Sequence, residues 1–288
     1  MTMRLLKATL VAMLLAVPLA ALAGNSPHAM RKLAESSALV TGSITIGPDG
    51  GVRAHTLEPT AALTPELAKF IGGVVEQWRF EPVLVDGQPA TAEVPMHLRL
   101  VAKRAEGDKV SISIASSYFG GETGGPGTDR TQSIKLTPPA FPHAALQMGG
   151  KGVVYLIVQV GRDGRVLNAD AEQVNLRVVG TENEMKMLRK QFTDAAVRAA
   201  KRWTFVAPTT GPEAKETSWL VRVPVDFRFH GDQNRNPGDW DTYVPGPPNV
   251  GVPWAQAKLR TAGSPDALPE GGVYPLRQGA TLLTPPST

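Results

Sequence analysis

Two stretches of this chain carry the same structural signals in the same order, and this repetition restricts the folds open to it. Each stretch has a strand pattern, a glycine turn, a second strand, a helical pattern and a final strand. The shared landmarks are an Asp-Gly pair, a Trp-x-Phe triplet and a Val-Pro pair. They occur at Asp49-Gly50, Trp78–Phe80 and Val94-Pro95, and again at Asp163-Gly164, Trp203–Phe205 and Val223-Pro224. We interpret the repetition as a divergent internal duplication.

The first stretch contains a helix whose start and buried face are predictable. Thr64 can accept a hydrogen bond as the N-cap, and Pro65 fits the first helical position, where its missing N–H is not needed. Apolar residues then recur three and four positions apart, which is the helical period. They are Leu67, Phe70, Ile71, Val74, Val75 and Trp78. Strands are predicted on both sides of this helix, with alternation from 94 to 100 in the last of them.

The second stretch repeats this plan with a longer helix. Strands are predicted at 152–160 and 166–179, joined by the turn at Asp163-Gly164. Thr181 and Glu184 have the spacing of a capping box, so the helix should begin there. Its inner face carries Met185, Leu188, Phe192, Ala195, Ala196, Ala199 and Trp203. The final strand is predicted from Trp219 to Phe229.

These patterns predict an α+β fold with two small antiparallel sheets, each covered by a helix on one face. An extra strand is predicted at Val110–Ala115, before a glycine-rich linker. The C-terminal part is rich in proline and glycine and has no periodicity, which predicts disorder. The predicted division is 1–23 signal peptide, 38–104 first unit, 105–137 strand and glycine-rich linker, 138–230 second unit, and 231–288 disordered tail.

Residues 1–23 have the composition of an export signal. Arg4 and Lys7 precede an apolar run, and Ala21-Leu22-Ala23 fits a small-x-small cleavage site. We predict cleavage after Ala23 and a periplasmic location, and an uncleaved inner-membrane anchor is the alternative. The chain has no cysteine, which excludes disulfides and thiolate sites. A net charge of +4 is too weak and too dispersed for nucleic-acid binding.

No group of residues in the chain has the pattern of a catalytic or metal site. The five histidines are more than 20 residues apart, and no serine lies in a Gly-x-Ser-x-Gly context. We therefore predict a protein that is not an enzyme, with no catalytic residue, no metal site and no cofactor. An envelope hydrolase or a cell-wall-binding scaffold is the alternative from a different functional class.

One set of motifs in the second unit points to a known family. The motifs are Phe141-Pro142-x-x-Ala145, Gly152-x-Val154, Asp163-Gly164, Ala199-Ala200-Lys201-x-Trp203-x-Phe205 and Val223-Pro224-Val225-x-Phe227. In this order they resemble the C-terminal domain of TonB-type energy transducers. The first unit resembles the same domain through Asp49-Gly50, Trp78-Arg79-Phe80 and Val94-Pro95-Met96, but it lacks the aromatic-proline opening. We assign structural roles to Trp78, Phe80, Phe141, Pro142, Gly152, Gly164, Trp203 and Phe205.

The resemblance implies a small periplasmic domain that binds a short segment of an outer-membrane receptor by strand addition and transmits the work of an inner-membrane motor. This chain departs from the family in its cleavable N-terminus and in lacking a long spacer rich in Pro, Lys and Glu. We therefore predict a protein or peptide partner in the cell envelope, such as a TonB-dependent receptor. A membrane-anchored energy transducer is the alternative, and a homodimer is left open.

The predicted partner-binding surface is the last strand of the second unit, acting as a free sheet edge. A free edge offers unpaired amides and carbonyls to an extended peptide, and Pro224 suits an edge because it lacks a donor. Arg222 and Arg228 could orient an acidic peptide. Occupation of this edge by the first unit, by Val110–Ala115 or by a second copy is the competing interpretation. The predicted edge residues are Trp219, Leu220, Val221, Arg222, Val223, Pro224, Val225, Asp226 and Phe227.

Overall fold

The structure is a computed structural model that describes residues 26–85, 87–104, 110–122, 132–209, 212–232, 238–249, 251–259 and 262–284. The predicted signal peptide at 1–23 and most of the glycine-rich linker lie outside the described residues. Within those ranges, none of the helices is both long enough and apolar enough to cross a membrane.

The described residues form thirteen strands and five helices, with two short 3₁₀ turns. The strands are β1 (Glu35–Ile46), β2 (Val52–Leu57), β3 (Leu84–Val85), β4 (Gln88–Pro89), β5 (Ala92–Arg104), β6 (Val110–Phe119), β7 (Gln132–Lys135), β8 (Gly152–Gly161), β9 (Val166–Leu176), β10 (Thr204–Val206), β11 (Ser218–Phe227), β12 (Asp241–Tyr243) and β13 (Tyr274–Pro275). The helices are α1 (Pro27–Arg31), α2 (Pro65–Val75), α3 (His143–Gln147), α4 (Glu182–Ala200) and α5 (Gln256–Leu259). The 3₁₀ turns are Pro212–Lys215 and Pro265–Ala267.

Two antiparallel sheets organise the molecule, and the predicted α+β class is confirmed. The first sheet has the order β12-β1-β5-β6, with β2 also paired to β1. The second has the order β13-β11-β8-β9. Two short ladders, β3 with β4 and β7 with β10, lie outside these sheets. Helix α2 packs on the first sheet and helix α4 on the second, so each sheet has one helix-covered face.

Helix α2 begins where the cap signals predict. The Thr64 side chain accepts a hydrogen bond from the amide of Leu67 at 3.3 Å. Leu67, Ile71 and Val75 are buried against the first sheet. Phe70 was expected on the same face but is 38% exposed. The apolar stripe is centred on residues 67, 71 and 75, and Phe70 lies at its margin, where the helix surface turns toward solvent.

Three rings fill the centre of the first core. Trp78 and Phe80 follow α2, and Phe119 ends β6; all three are buried. The ring centroid of Phe119 lies 5.6 Å from that of Trp78 and 4.9 Å from that of Phe80, both edge-to-face. Such pairs stabilise a core beyond the area they bury. The extra strand therefore contributes directly to the core of the first unit.

Helix α4 organises the second core. Thr181 and Glu184 form the expected capping box, with hydrogen bonds of 3.3 Å from the Glu184 amide and 2.7 Å from the Thr181 amide. Phe141 packs against the rings of Phe192 and Phe227, with centroids 5.8 Å away in both cases. The Trp203 indole N–H donates to the Thr137 carbonyl at 2.8 Å. The buried residues on the inner face of α4 are Met185, Leu188, Phe192, Ala195, Ala196, Ala199 and Ala200.

The remaining predicted structural residues also lie at ordered positions. Pro142 is the N-cap of α3 and accepts a hydrogen bond from the Leu146 amide at 2.9 Å. Gly152 begins β8 opposite Leu176. Phe205 is buried in the second core, in the short strand β10.

The two Asp-Gly turns have the same geometry in both units. Gly50 has a φ of 76° and Gly164 a φ of 77°, a backbone region that favours glycine. The Gly50 carbonyl accepts from the Phe80 amide at 2.9 Å, and the Gly164 carbonyl accepts from the Phe205 amide at 2.8 Å. A Cβ on either glycine would collide with the carbonyl oxygen of that phenylalanine. This agreement in detail supports the interpretation of a duplication.

The C-terminal segment, residues 238–249, 251–259 and 262–284, is packed along both units. It pairs β12 with β1, bonds to β9 through Val244 and Asn249, and pairs β13 with β11. Its last part bonds to the first unit, where the Leu283 amide donates to the Arg79 carbonyl at 2.8 Å. The expectation of a disordered tail at 231–288 is therefore wrong for these residues. Proline-rich and glycine-rich composition predicted disorder, but sheet edges supply the hydrogen-bond partners that this segment lacks internally.

Candidate functional site

Strand β11 lies within the second sheet and is paired with β8 along its whole length. The register runs from Ser218 opposite Gly161 to Phe227 opposite Gly152. One face of β11 packs under α4, through Val221, Val223, Val225 and Phe227. Trp219 is also buried, and its indole N–H donates to the Glu213 carbonyl at 3.1 Å. The opposite face carries Leu220, Arg222, Pro224 and Asp226.

The other side of β11 was expected to be open, but its middle is occupied by Gly271–Leu276, which we call the edge-covering segment. Val221 lies opposite Pro275 and Arg222 opposite Tyr274. The Leu276 amide donates to the Leu220 carbonyl at 2.9 Å, and the Gly271 amide donates to the Pro224 carbonyl at 3.3 Å. The occupant is none of the three candidates that the sequence suggested. Its content of proline and glycine had led to the prediction that it belongs to a disordered tail.

Pro224 explains why this pairing is short. Its carbonyl accepts from Gly271, so the side of its backbone that faces the edge-covering segment has no N–H to donate. Pairing in register is limited to Val221 and Arg222. The edge-covering segment therefore bonds to β11 only near its centre. Among the described residues, both ends of β11 have no strand partner on this outer side.

The corresponding edge of the first unit is filled differently. Strand β5 occupies the place of β11, and β6 pairs with it from Met96 to Arg104. The Pro95 carbonyl accepts from the Gly120 amide at 2.9 Å, as the Pro224 carbonyl accepts from Gly271. One unit thus has a long neighbouring strand at this edge, with a single bulge, and the other has a two-residue strand. Removing the edge-covering segment from β11 would therefore break fewer backbone pairs than removing β6 from β5.

Arg222 is fully buried, which corrects the expectation that it could orient an acidic peptide. Its guanidinium donates to both carboxylate oxygens of Glu172, at 2.9 and 2.6 Å. It also donates to the carbonyls of Ala262 and Gly263, at 2.8 and 2.9 Å. Burial raises the pKa of the Glu172 carboxyl, and the positive charge of Arg222 opposes that shift. The arginine therefore fixes the C-terminal segment to the second sheet.

Arg228, the other arginine predicted to orient a peptide, is not buried like Arg222. Its side chain is 48% exposed, and it contacts the Asp226 carboxylate at 3.1 Å.

A second arginine holds the C-terminal segment beside the end of β11. Arg177 contacts Asp226 at 2.5 Å and Asp241 at 2.7 Å, and it also pairs with Glu270. Asp241 and Glu270 belong to the C-terminal segment, whereas Asp226 belongs to β11. Burial raises the pKa of the Glu270 carboxyl, and the guanidinium of Arg177 opposes this. Glu270 directly precedes the edge-covering segment, so this cluster positions it.

Aromatic side chains anchor the edge-covering segment to the first unit. Tyr274 is buried, and its hydroxyl donates to Glu122 at 3.0 Å. The Tyr118 hydroxyl donates to the Pro275 carbonyl at 2.9 Å. His97 lies beside both rings, with centroid distances of 5.9 Å to Tyr118 and 6.1 Å to Tyr274. Its Nε2 lies 3.2 Å from the Gly120 carbonyl, an acceptor, so this nitrogen carries the proton of the neutral ring.

The buried position of His97 predicts a loss of stability in mild acid. Burial lowers the pKa of His97 from its ordinary value of 6.5. The unfolded chain therefore binds a proton more readily than the folded one, so this contribution is full above pH 6.5 and declines as pH falls below it. Replacing His97 with Gln should flatten the dependence of unfolding free energy on pH between neutral pH and pH 5. A pH dependence in His97→Gln as steep as in the unaltered protein would contradict this role of His97.

Sequence reasoning missed the residues that hold the edge-covering segment. Arg177, Tyr118 and Tyr274 stand in no motif, and each acts through a partner that is distant in sequence. The proline-rich context of Tyr274 even argued against an ordered strand. In the part of the chain that the structure describes, no cluster of three or more His, Asp or Glu side chains could hold a metal ion.

Part of the chain is similar in sequence to TonB proteins. The chain is 35% identical over 99 residues to Protein TonB from two strains of Xanthomonas campestris pv. campestris, and the match covers 34% of the chain. It is also 32% identical over 92 residues to Protein tonB2 from Pseudomonas aeruginosa, covering 32% of the chain. These matches confirm the resemblance found in the motifs.

The similarity is confined to part of each protein. The match spans 38% of the length of the Xanthomonas proteins and 29% of the Pseudomonas protein. No family model matches the chain. No solved structure matches it either.

Proposed function

We propose that this chain is a non-enzymatic periplasmic protein-binding module of the TonB C-terminal type. Its ligand is a segment of an envelope or outer-membrane receptor, which adds as a strand to β11 along Trp219–Phe227. The observation that carries the proposal is the short cover on this edge, in a chain similar to TonB proteins. Strand addition needs backbone donors and acceptors more than particular side chains, and β11 has them at its edge.

The partner strand would replace the edge-covering segment. That segment pairs in register only at Val221 and Arg222, with single bonds to Leu220 and Pro224. A partner that pairs from Ser218 to Asp226 would make these bonds and additional ones at both ends. Each backbone hydrogen bond contributes about 0.5–1.5 kcal/mol net, so a longer strand has the advantage. Pro224 would still leave one donor missing in the ladder.

Amide exchange on the full mature chain tests this proposal. Synthetic peptides from periplasm-facing segments of TonB-dependent receptors serve as the probes. We expect added protection at Ser218 and Asp226, whose amides lie on the outer side of β11 where the free protein has no second strand, together with faster exchange in 271–276. Protection elsewhere with no change along β11 would contradict the proposed site. Receptor peptides that bind nowhere would contradict the function itself.

Weakening the edge-covering segment should increase peptide affinity. Tyr274→Ala removes a buried ring and its hydrogen bond to Glu122, so the segment should leave β11 more readily. We expect a lower Kd by isothermal titration calorimetry than in the unaltered protein. Leu84→Ala, an exposed change in the β3–β4 hairpin, should leave the Kd unchanged. An unaltered or raised Kd in Tyr274→Ala would show that peptide and segment do not compete.

The proposed location is the periplasm, after removal of residues 1–23. N-terminal sequencing of the exported protein tests this directly. A first residue of Gly24 agrees with a released periplasmic protein. Retention of residues 1–23 would instead support the anchored energy transducer.

A further inference from the structure

Strand β6 carries a second sheet edge, which belongs to the first unit. Its inner side pairs with β5, from Val110 opposite Arg104 to Phe119 opposite Met96. Near its C-terminal end the C-terminal segment covers the outer side: the Gly279 amide donates to the Phe119 carbonyl at 2.7 Å. Within the described ranges, residues 110–115 have no backbone partner on that outer side.

This uncovered half has neither a charged side chain nor a proline to protect its edge, and the one bulge of the β5–β6 pair lies at its end, at Ala115. Natural edges are guarded by charged side chains, proline, strong bulges or a covering element. From Val110 to Phe119 the sequence is Val-Ser-Ile-Ser-Ile-Ala-Ser-Ser-Tyr-Phe, with no charge and no proline. Val110 is 63% exposed, and Ile112 is only partly buried at the rim of the first core. A neutral strand edge with one apolar face is a surface on which a further strand can pair.

The sequence of this half is complementary to itself. Opposed residues in an antiparallel pair point to the same face of the sheet. Centred on Ile112, such a pairing places Val110 opposite Ile114, Ser111 opposite Ser113, and Ile112 opposite its own copy. The apolar ladder would then extend the first core of each copy, and the serines would form a hydroxyl ladder on the other face.

We propose that Val110–Ile114 is a homodimer edge, where the β6 strands of two copies pair antiparallel about a twofold axis at Ile112. The neutral sequence favours a second copy over a charged peptide, because a charged ligand would find no opposite charge on it. The nearest charge is that of Lys103 on β5, which lies opposite Ser111, and the contact of its ammonium with Glu35 at 3.4 Å offsets that charge. The dimer leaves β11 accessible and is independent of receptor binding.

Disulfide trapping tests the twofold register. The chain has no cysteine, so a single introduced thiol can crosslink only to its copy. Opposed Cα atoms in antiparallel strands are about 4.5–5.5 Å apart, within the range that a disulfide spans. The mature Ile112→Cys protein should form a covalent dimer rapidly under mild copper-phenanthroline oxidation. Ala54→Cys, on the exposed β2 of the same sheet, should not. Equal rates for both variants would overturn the proposal.

Paired charge substitutions test the same register without a crosslink. In the proposed dimer, residue 111 of one copy faces residue 113 of the other. Ser111→Glu with Ser113→Glu should therefore give a monomer by light scattering, because like charges oppose each other twice. Ser111→Lys with Ser113→Glu should stay dimeric, because opposite charges face each other. A monomeric unaltered protein, or the same state for both double variants, would overturn the proposal. If either double variant fails to fold, the trapping result decides.

Discussion

Replacing Trp203 with alanine should lower the free energy of unfolding by about 3–5 kcal/mol, the usual range for truncating a buried aromatic side chain. Trp203 is 3% exposed and lies between α4 and β10, where it fills the second core. The substitution also removes the donor to the Thr137 carbonyl. Urea unfolding followed by circular dichroism would measure the difference.

Met187, on helix α4, provides a comparison at an exposed position. It is 45% exposed, so Met187→Ala should change the unfolding free energy by less than about 0.5 kcal/mol. If the Trp203 and Met187 variants unfold at the same urea concentration, Trp203 does not have the packing role assigned to it.

Replacing Arg222 with alanine should have an effect of similar size, about 3–5 kcal/mol, because it removes one partner of a buried ion pair. The Glu172 carboxylate would remain buried without its counter-charge. The Gly263 carbonyl would lose its bond from Arg222, whereas the Ala262 carbonyl would keep its bond from Gln278. Amide exchange should show the C-terminal segment loosened around 262–263. The deficit should shrink as pH falls toward 4.5, the ordinary pKa of Glu172, because burial raises its folded pKa and protonation then relieves the charge.

Two further variants separate the charge from the packing. Arg222→Met combined with Glu172→Met should recover most of the lost stability, since an apolar pair of similar volume often replaces a buried ion pair well. Arg228→Ala, whose side chain is 48% exposed, should cost less than about 1 kcal/mol. A double variant no more stable than Arg222→Ala would show that packing around the methionines, and not the unpaired charge, governs this site.

Signals of short range were sufficient to predict the helices and hairpins. The Thr64 and Thr181 caps and the spacing of apolar residues depend only on neighbours within a few positions, and both helices begin where these signals place them. The Asp-Gly turns were predictable for the same reason. The prediction that Phe70 lies on the buried face was wrong, because periodicity gives the direction of an apolar stripe but not its width. The partner sheet determines that width.

The candidate site was predictable only in part. Strand β11 and its proline were found, because Val-Pro and alternation are local patterns. Its cover was missed, because Gly271–Leu276 has little strand propensity of its own and is ordered by β11 and by the first unit. The burial of Arg222 was missed for the same reason. A strand face that is polar in sequence was assumed to face solvent, whereas residues 262–263 bury it.

The path of the C-terminal segment has a consequence for folding. The Arg79 amide donates to the Thr284 side chain at 3.1 Å, a contact between residues 205 positions apart. β12 likewise joins residues 241–243 to 35–37 at the start of the first sheet. Contacts so distant along the chain form late, because a large loop must close before they contribute. Neither sheet is complete until the C-terminal segment has supplied β12 to the first and β13 to the second, so the two units should unfold together in one transition.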